Sequence, residues 1–437
     1  MKFTTGFDRV KSRAGRAFSS LLAAIVTCVF FTLAVQSARA LDTTTTQPPS
    51  KPATAHSTKV HHTRRRTRAV HRSSATSSVR HTSRTVTHRR ATLRRTHYRV
   101  RRHRYYERFT ANSFAQGDIF AGDVTAGEDP AVRQAAIAAM GNMNGTAVVI
   151  NASNGRILAM INQKLALSPG AEPCSTIKLS VALAALSEGL VTRDTMVRLQ
   201  GFRMNMTEAV AHSNNLYFEE LGRELGFERV HHYATEFGLG ELAGWHIPGE
   251  QLGEYPDQAI PAAEGGVGRM CSFGQGVSMT PLQLGALVAA IANGGTLYYL
   301  QHPTTPEEIS GFEPRIKRVL NIGKYIPELQ DGMAGAVEYG TARRLRANFT
   351  ELPVFGKTGT CSDKGTRFGW FAGFSDTPLG PIVTVFFLEG GRPTFGPRAA
   401  ELAGEFYRNL WDRNYFDQSA PQTAHADAHG NLQAGGR

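Results

Sequence analysis

Positive charge in this chain is concentrated in one segment that has too few large apolar residues to build a core. Residues 51–108 hold eighteen Lys/Arg and one acidic residue, a net charge of +17. Residues 109–437 carry a net charge of −8, although the whole chain of 437 residues is at +13. A segment that buries little apolar surface cannot offset the conformational entropy that the chain loses on folding. Residues 41–108 are therefore predicted to be a disordered basic linker. The folded domain is predicted over residues 109–416, and residues 417–437 are predicted to be a disordered tail.

The same charge pattern restricts the partners that the chain is expected to have. A folded region with net negative charge excludes a globally basic fold that binds nucleic acid. For an exported chain, the expected partners of the linker are anionic membrane headgroups or acidic wall polymers. The alternative is a solvated, self-repelling spacer without a specific partner. The linker's eight histidines have no ligand spacing and the four cysteines form no CxxC pair, so no metal or cofactor is predicted.

The N-terminus has the pattern of an export signal. Basic residues lie between Lys2 and Arg16, and Ala17–Val35 then runs 19 residues without a charge. Residues 38–40 (Ala-Arg-Ala) have the form of a cleavage site, while the length also suffices for a membrane-spanning helix. Residues 1–40 therefore fit a cleaved signal peptide or a retained membrane anchor. Both place the rest of the chain in the cell envelope, in the periplasm or on the outer face of the cytoplasmic membrane.

Hydrophobic patterning predicts strands near both ends of the folded region and helices between them. The predicted strands are Thr146–Ile150, Arg156–Ile161, Val354–Thr360, Gly369–Phe374 and Ile382–Leu388. The predicted helices are Pro130–Met140, Ser175–Ser187, Pro281–Asn293 and Ala399–Trp411, with helical segments dominating residues 175–240. An early hairpin and a late cluster of strands, separated by helices, predict an α/β domain whose sheet uses both ends of the chain.

The predicted helix Ser175–Ser187 is apolar nearly all round, which indicates a helix buried inside the domain. Its one charge is Lys178, three residues after Ser175, so the two side chains are expected on one face. A desolvated lysine has a lowered pKa and can accept the proton of a nucleophilic serine. The helix N-terminus would supply N–H groups to a developing oxyanion. The alternative is a capping serine beside a snorkelling lysine.

Two further motifs strengthen the catalytic interpretation. An S-x-N sequence lies at residues 213–215, although such a sequence alone is equally typical of a helix cap or a turn. A K-T-G-T sequence at residues 357–360 is much rarer by chance, and it ends a predicted apolar strand. Glycine in that strand lets a substrate approach the backbone closely.

The order S-x-x-K, S-x-N and K-T-G resembles the motif set of penicillin-binding proteins and class A β-lactamases. The similarity covers nearly all of residues 129–411. It includes Glu172–Lys178 (EPCSTIK), Phe273–Gly276 (FGQG), Met279–Leu284 (MTPLQL), Ala292–Gly295 (ANGG), Gly340–Ala342 (GTA), Gly356–Thr360 (GKTGT) and Gly369–Phe374 (GWFAGF). The chain thus resembles the penicillin-binding transpeptidase family. This implies a lobe with a five-stranded antiparallel sheet packed with helices, a second helical lobe, and an active site between them.

The resemblance also implies a mechanism of serine acyl transfer on peptidoglycan stem peptides, with β-lactam antibiotics as acylating inhibitors. Ser175 would attack the carbonyl of the penultimate D-alanine while Lys178 accepts its proton. Ser213 would relay a proton to the leaving D-alanine, and Asn215 would hold the substrate amide. The acyl-enzyme would then be attacked by an amine of a neighbouring stem peptide, a sequence that requires no metal or cofactor.

Substrate binding is implied for the strand motif that contains Gly359. Lys357 would give positive potential for the terminal carboxylate of the substrate, and the side chains of Thr358 and Thr360 would offer hydroxyls. The backbone N–H groups of Ser175 and Thr360 would form the oxyanion hole.

Three classes of function compete. The first is D,D-transpeptidase, and the second is a hydrolase, either a D,D-carboxypeptidase or a β-lactamase. Class A β-lactamases carry Glu-x-x-Leu-Asn to activate water, but the nearest match, residues 236–240, lacks the Asn. The third is a non-catalytic penicillin-binding sensor, against which the complete set of motifs argues.

The large N-terminal domain usual in membrane-anchored transpeptidases is expected to be absent, and no glycosyltransferase domain fits before residue 109.

A disulfide between Cys174 and Cys361 is the last expectation. These cysteines flank the two implied oxyanion donors, which must approach one oxygen, and certain carbapenem-hydrolysing class A β-lactamases bridge the same positions. An exported chain would keep such a bond. The alternative is two small buried cysteines that happen to flank motifs. Cys271 has no obvious partner, and Cys28 lies in the export segment.

Overall fold

The computed structural model describes residues 110–417. The predicted export segment (residues 1–40) and the predicted linker (residues 41–108) lie outside the described residues, as does the predicted tail after Asp417. No helix within residues 110–417 has both the length and the apolar character that crossing a bilayer requires.

Strands at both ends of the described region form one antiparallel sheet, as the sequence predicts. The strands are β1 (Gly145–Asn151), β2 (Ile157–Ile161), β3 (Val197–Arg198), β4 (Arg203–Met204), β5 (Thr296–Tyr298), β6 (Ile316–Val319), β7 (Val354–Asp363), β8 (Thr366–Thr377) and β9 (Gly380–Gly390). The main sheet has the order β2-β1-β9-β8-β7, and every neighbouring pair in it is antiparallel. β1 and β9 are paired across more than 200 residues of chain, so the sheet closes only when the two ends of the domain meet.

Helices pack on both faces of this sheet. They are α1 (Pro130–Met140), α2 (Gln163–Ala166), α3 (Lys178–Ser187), α4 (Met206–Ala211), α5 (Asn215–Glu236), α6 (Gly266–Phe273), α7 (Pro281–Ala292), α8 (Pro306–Ser310), α9 (Ile326–Glu338) and α10 (Gly396–Trp411). Alternate residues of β1 are buried in two different apolar clusters, Val148 and Ile150 in one, Ala147 and Val149 in the other. The cluster of Val148 contains α3 and α7, and the cluster of Ala147 contains α1 and α10. The predicted α/β fold with a five-stranded antiparallel sheet is confirmed.

Helix α3 lies inside the domain because it has no polar face to present to water. Every residue from Lys178 to Leu186 is buried. Burial of such an apolar helix is the main source of its stability, since each fully buried Leu or Val contributes about 1.5–3 kcal/mol. The position of α3 matters for function because it buries one lysine together with the apolar side chains.

Local signals in the sequence set the ends of several helices. The Asp129 carboxylate accepts hydrogen bonds from the N–H groups of Ala131 and Val132, so α1 begins at Pro130 as predicted. Helix α7 starts with a capping box between Thr280 and Gln283 and ends at Ala292, one residue before the predicted end.

The structure corrects several of the predicted elements. The region 175–240 also contains the small β3–β4 hairpin. Strands β7, β8 and β9 are longer than predicted, because their ladder continues into polar residues that hydrophobic patterning does not register. The last helix begins at Gly396 rather than Ala399, with proline in its first turn.

Candidate active site

The proposed nucleophile, Ser175, lies just before α3 and not within it. Residues Cys174–Ile177 form a 3₁₀ turn, and the α-helix begins at Lys178. The prediction of one helix from Ser175 was therefore wrong about its first turn. The predicted pairing is nevertheless present, because side chains at i and i+3 eclipse one another in a 3₁₀ turn. Lys178 Nζ lies 2.7 Å from Ser175 Oγ.

Lys178 Nζ is the centre of the site. It donates to Asn215 Oδ1 at 2.8 Å, and it lies 3.3 Å from Ser213 Oγ and 3.4 Å from the Ser213 carbonyl oxygen. The rings of Phe218 and Phe273 lie on its flanks, with centroids 5.6 and 5.9 Å from the nitrogen. Within residues 110–417, Lys178 forms no ion pair with a carboxylate. All of its hydrogen-bond partners are neutral oxygens.

This environment favours the neutral amine of Lys178. The residue is fully buried. Burial lowers the pKa of Lys178 well below its ordinary value, the nearby charge of Lys357 lowers it further, and Glu219 opposes both effects. A neutral amine 2.7 Å from a serine hydroxyl can accept its proton when the hydroxyl oxygen attacks a carbonyl.

The S-x-N motif occupies the turn between α4 and α5. Ser213 has φ of +53°, a left-handed conformation that is uncommon for a residue with a side chain. Asn214 caps α5 by accepting a hydrogen bond from the N–H of Tyr217, and Asn215 is the first residue of that helix. The turn thus places the side chains of residues 213 and 215 together against Lys178.

The K-T-G-T motif lies in β7, the edge strand of the main sheet. Lys357 is fully buried, and its Nζ donates to Ser213 Oγ at 2.8 Å and to the Thr358 carbonyl oxygen at 2.9 Å. Burial lowers the pKa of Lys357 to about 7. Ser213 Oγ therefore lies between the two lysines, at 3.3 Å from Lys178 and 2.8 Å from Lys357.

The remaining residues of the motif face different neighbours. Thr358 donates its hydroxyl to Thr341 Oγ1 at 2.7 Å, and the exposed Thr360 accepts a hydrogen bond from the Gly396 N–H at 2.8 Å. Gly359 lies against the turn that carries Ser175. A Cβ at residue 359 would be 2.8 Å from the Pro173 carbonyl oxygen, so the close approach of strand and turn requires glycine there.

Cys174 and Cys361 form a disulfide in the structure, with Cα atoms 5.5 Å apart. Cys361 follows the K-T-G-T motif, so the bond joins the edge strand to the residue before Ser175. Cys174 has φ of +52°, a conformation that persists in a non-glycine residue only when its surroundings hold it. Cys271 is a buried free thiol on α6.

The structure thus brings together all the site residues predicted from the sequence. Ser175, Lys178, Ser213, Asn215 and Lys357 form one connected set of hydrogen bonds. The strand segment 358–360 borders the turn at Ser175. Among residues 110–417, no group of three or more His, Cys, Asp or Glu side chains is arranged to hold a metal ion.

Sequence reasoning missed two groups that support the site. Trp370 Nε1 donates to the Glu172 carbonyl oxygen at 3.0 Å, which ties β8 to the segment before the nucleophile. Thr341 contacts Thr358, as described above. Both residues lie in short sequences, Gly340–Ala342 and Gly369–Phe374, that carry the family resemblance, but nothing in the residue types alone assigns them a role.

Comparison with known proteins agrees with this geometry. Residues 145–391, more than half of the chain, match the family described as "Penicillin binding protein transpeptidase domain". Stage V sporulation protein D of Bacillus subtilis is 28% identical over 317 residues, covering 60% of this chain and 48% of that protein. The peptidoglycan D,D-transpeptidase MrdA of Acinetobacter baumannii is 27% identical over 281 residues, covering 53% of this chain and 41% of that protein. The match therefore spans less than half the length of each of these relatives.

Solved structures show the same fold. A peptidoglycan glycosyltransferase structure from Burkholderia ambifaria superposes with a TM-score of 0.57 at 20% identity, covering 66% of this chain and 98% of that chain. Penicillin-binding protein 3 from Mycobacterium tuberculosis, complexed with aztreonam, gives a TM-score of 0.52 at 23% identity, covering 65% and 76%. At these levels of identity, the structural similarity shows only that the folds are the same. The match over residues 145–391 shows that the chain belongs to the penicillin-binding protein transpeptidase domain family.

Proposed function

We propose that the chain is a penicillin-sensitive serine D,D-transpeptidase that cross-links peptidoglycan stem peptides through an acyl-enzyme. The observation that supports this most is the 2.7 Å contact between Ser175 Oγ and Lys178 Nζ, a buried amine whose hydrogen bonds all go to neutral oxygens. Such a pair supplies a nucleophile and its base without any further group. The D,D-transpeptidase named among the relatives makes this chemistry the first candidate.

In the proposed reaction, Ser175 Oγ forms a bond to the carbonyl carbon of the penultimate D-alanine and passes its proton to Lys178 Nζ. Collapse of the tetrahedral intermediate breaks the amide bond to the terminal D-alanine. The leaving nitrogen takes a proton from the Ser213 hydroxyl, which is resupplied from Lys178 at 3.3 Å. The acyl-enzyme is then attacked by the acceptor amine, and the proton released by that amine returns to Ser175.

Charge complementarity supports a substrate that ends in a free carboxylate. The buried Lys357 gives up its proton near pH 7 in the free protein. An arriving carboxylate favours the charged form of that lysine, so binding raises the pKa and creates the ion pair. Thr358 and Thr360 lie one and three residues further along the same strand. We assign these three residues to carboxylate binding, and the backbone N–H groups of Ser175 and Thr360 to the oxyanion hole.

Hydrolysis is the second candidate function, because water could attack the same acyl-enzyme in place of the acceptor amine. The position of Glu236, the nearest sequence match to a water-activating glutamate, does not favour it, because Glu236 ends α5, the helix that Asn215 begins. Its carboxylate lies 3.8 Å from His232, far along the helix from Lys178.

The proposal is tested by incubating the purified chain with a stem pentapeptide ending in D-Ala-D-Ala, with and without an amine acceptor. Mass spectrometry should show loss of one D-alanine together with a product joined to the acceptor. Loss of D-alanine with only hydrolysed product at every acceptor concentration would make the chain a carboxypeptidase. No loss of D-alanine under any condition would contradict the proposed function.

A further inference from the structure

We infer that Thr341 is a positioning residue that orients the Thr358 hydroxyl toward the substrate carboxylate. The inference rests on the proposed function, because it assigns a role within the carboxylate-binding part of that site. It starts from the 2.7 Å hydrogen bond between the two threonine hydroxyls.

The two threonines assigned to carboxylate binding use their hydroxyls differently in the free protein: one accepts a hydrogen bond and the other donates one. Thr360 Oγ1 accepts the Gly396 N–H at 2.8 Å, which leaves its own proton free to donate to a ligand. The buried Thr358 donates its proton to Thr341 in the free protein. Thr358 can therefore donate to a carboxylate only if its hydroxyl turns away from Thr341.

Thr341 is suited to reverse that hydrogen bond. A hydroxyl is both a donor and an acceptor, so Thr341 can donate its own proton to Thr358 Oγ1 once Thr358 turns. The resulting chain runs from Thr341 to Thr358 to the carboxylate, with no proton transferred between heavy atoms. Hydrogen bonds in such a chain polarise and strengthen one another, and the bond to the charged acceptor is the stronger kind.

The backbone holds Thr341 rigidly in this position. The Thr341 N–H donates to the Ala211 carbonyl oxygen at 3.1 Å, and the Ala342 N–H donates to Ala336 at 2.8 Å. A Cβ on Gly340 would lie only 2.1 Å from the Ala211 oxygen, so the segment fits against the end of α4 because residue 340 is glycine. The same segment thus contacts the helix end before Ser213 and the strand that carries Thr358.

The test of this role is whether removing the Thr341 hydroxyl slows acylation by a compound with a free carboxylate more than acylation by its ester. The second-order rate constant of acylation is measured with benzylpenicillin and with its methyl ester, for wild type and for Thr341→Val, Thr341→Ser and Thr350→Val. Thr350 is an exposed threonine outside the candidate site and serves as a matched control. Thermal unfolding of each variant checks that the fold is intact.

We expect Thr341→Val to lower the rate constant for benzylpenicillin about tenfold, in line with loss of a hydrogen bond that supports a charged group. The ester should change by less than about twofold, because it presents no charge. Thr341→Ser should restore the wild-type selectivity between the two compounds, and Thr350→Val should match wild type. An equal loss for acid and ester, or no loss for either, would overturn the inference. A wild-type protein that neither compound acylates would instead refute the proposed function.

Discussion

Two clusters in this molecule, one around the partly buried Arg133 and one around two buried lysines, differ in what their cations contact. Near α1, Arg133 is bonded to two buried carboxylates, Glu128 at 2.8 Å and Asp123 at 2.7 Å, and Glu128 also contacts His302 at 3.1 Å. In the candidate active site, Lys178 and Lys357 contact hydroxyl, amide and carbonyl oxygens. Neither lysine forms an ion pair with a carboxylate within residues 110–417.

The pKa values of the two clusters move in opposite directions for this reason. Burial alone would lower the pKa of Arg133, but its hydrogen bonds to Asp123 and Glu128 outweigh that effect and raise it. Burial lowers the pKa of both Lys178 and Lys357, and no paired carboxylate compensates. The partly buried Arg133, with its carboxylate partners, keeps its charge and stabilises the fold. A buried lysine with neutral partners gives up its proton and becomes available for proton transfer.

The largest effect should follow from removing the unpaired lysine that contacts Ser175. We predict that Lys178→Ala lowers the rate constant of acylation by penicillin by at least about 10²–10⁴-fold, because it removes the general base. Lys317→Ala is the matched control: Lys317 is also nearly buried, with 7% of its side chain exposed, but it pairs with Glu241 at 2.6 Å. Stopped-flow acylation should find that control within about twofold of wild type. An unchanged rate constant in Lys178→Ala would remove the general-base role.

Breaking the paired cluster should instead affect the fold. Arg133→Met leaves Asp123 and Glu128 buried without their cation, so we predict a loss of about 3 kcal/mol in the free energy of unfolding. The exposed Arg223, which pairs with Glu220 on the surface, provides the control, and Arg223→Met should cost less than about 1 kcal/mol. Urea unfolding measures both. Equal free energies of unfolding for the two variants would show that the pairing of Arg133 contributes no more to stability than the surface pair of Arg223.

A further prediction is a dependence of the free energy of unfolding on pH that comes from Lys357. Between pH of about 7 and 10.5, the folded protein has lost the Lys357 proton while the unfolded chain still holds it. The free energy of unfolding of wild type should therefore rise with pH across this window, relative to Lys357→Met, by at most about 1.4 kcal/mol per pH unit. Below this window the folded and the unfolded chain both hold the Lys357 proton, so the difference in free energy of unfolding between wild type and Lys357→Met should be constant. A difference that is flat throughout would show that the lysine keeps its charge.

The sequence predicted which candidate residues lie together more completely than it predicted the elements around them. Lys178 was recognisable because a single charge in an otherwise apolar helix must be buried with it. The strands of the main sheet were recognisable because both faces are covered, which makes them continuously apolar. Helices α6 and α9 were missed, since their glycines weaken helical patterning and only packing against neighbours stabilises them.

The role inferred for Thr341 shows what local sequence cannot supply. Thr341 and Thr358 are 17 residues apart, and their contact depends on how the segment after α9 fits against the end of α4. The start of α3 is a similar case. Spacing predicted the pairing of Ser175 with Lys178, but the 3₁₀ turn follows from the left-handed backbone of Cys174 and its bond to β7.

The central claim is that the unpaired lysine cluster activates Ser175 for acyl transfer. The most direct measurement is to react the intact protein with penicillin and to map the adduct by mass spectrometry, in wild type and in Ser175→Ala. The account predicts one penicillin per wild-type chain, attached to the peptide containing Ser175, and no adduct on folded Ser175→Ala. Undiminished labelling of Ser175→Ala, or an adduct mapped to another residue in wild type, would contradict it.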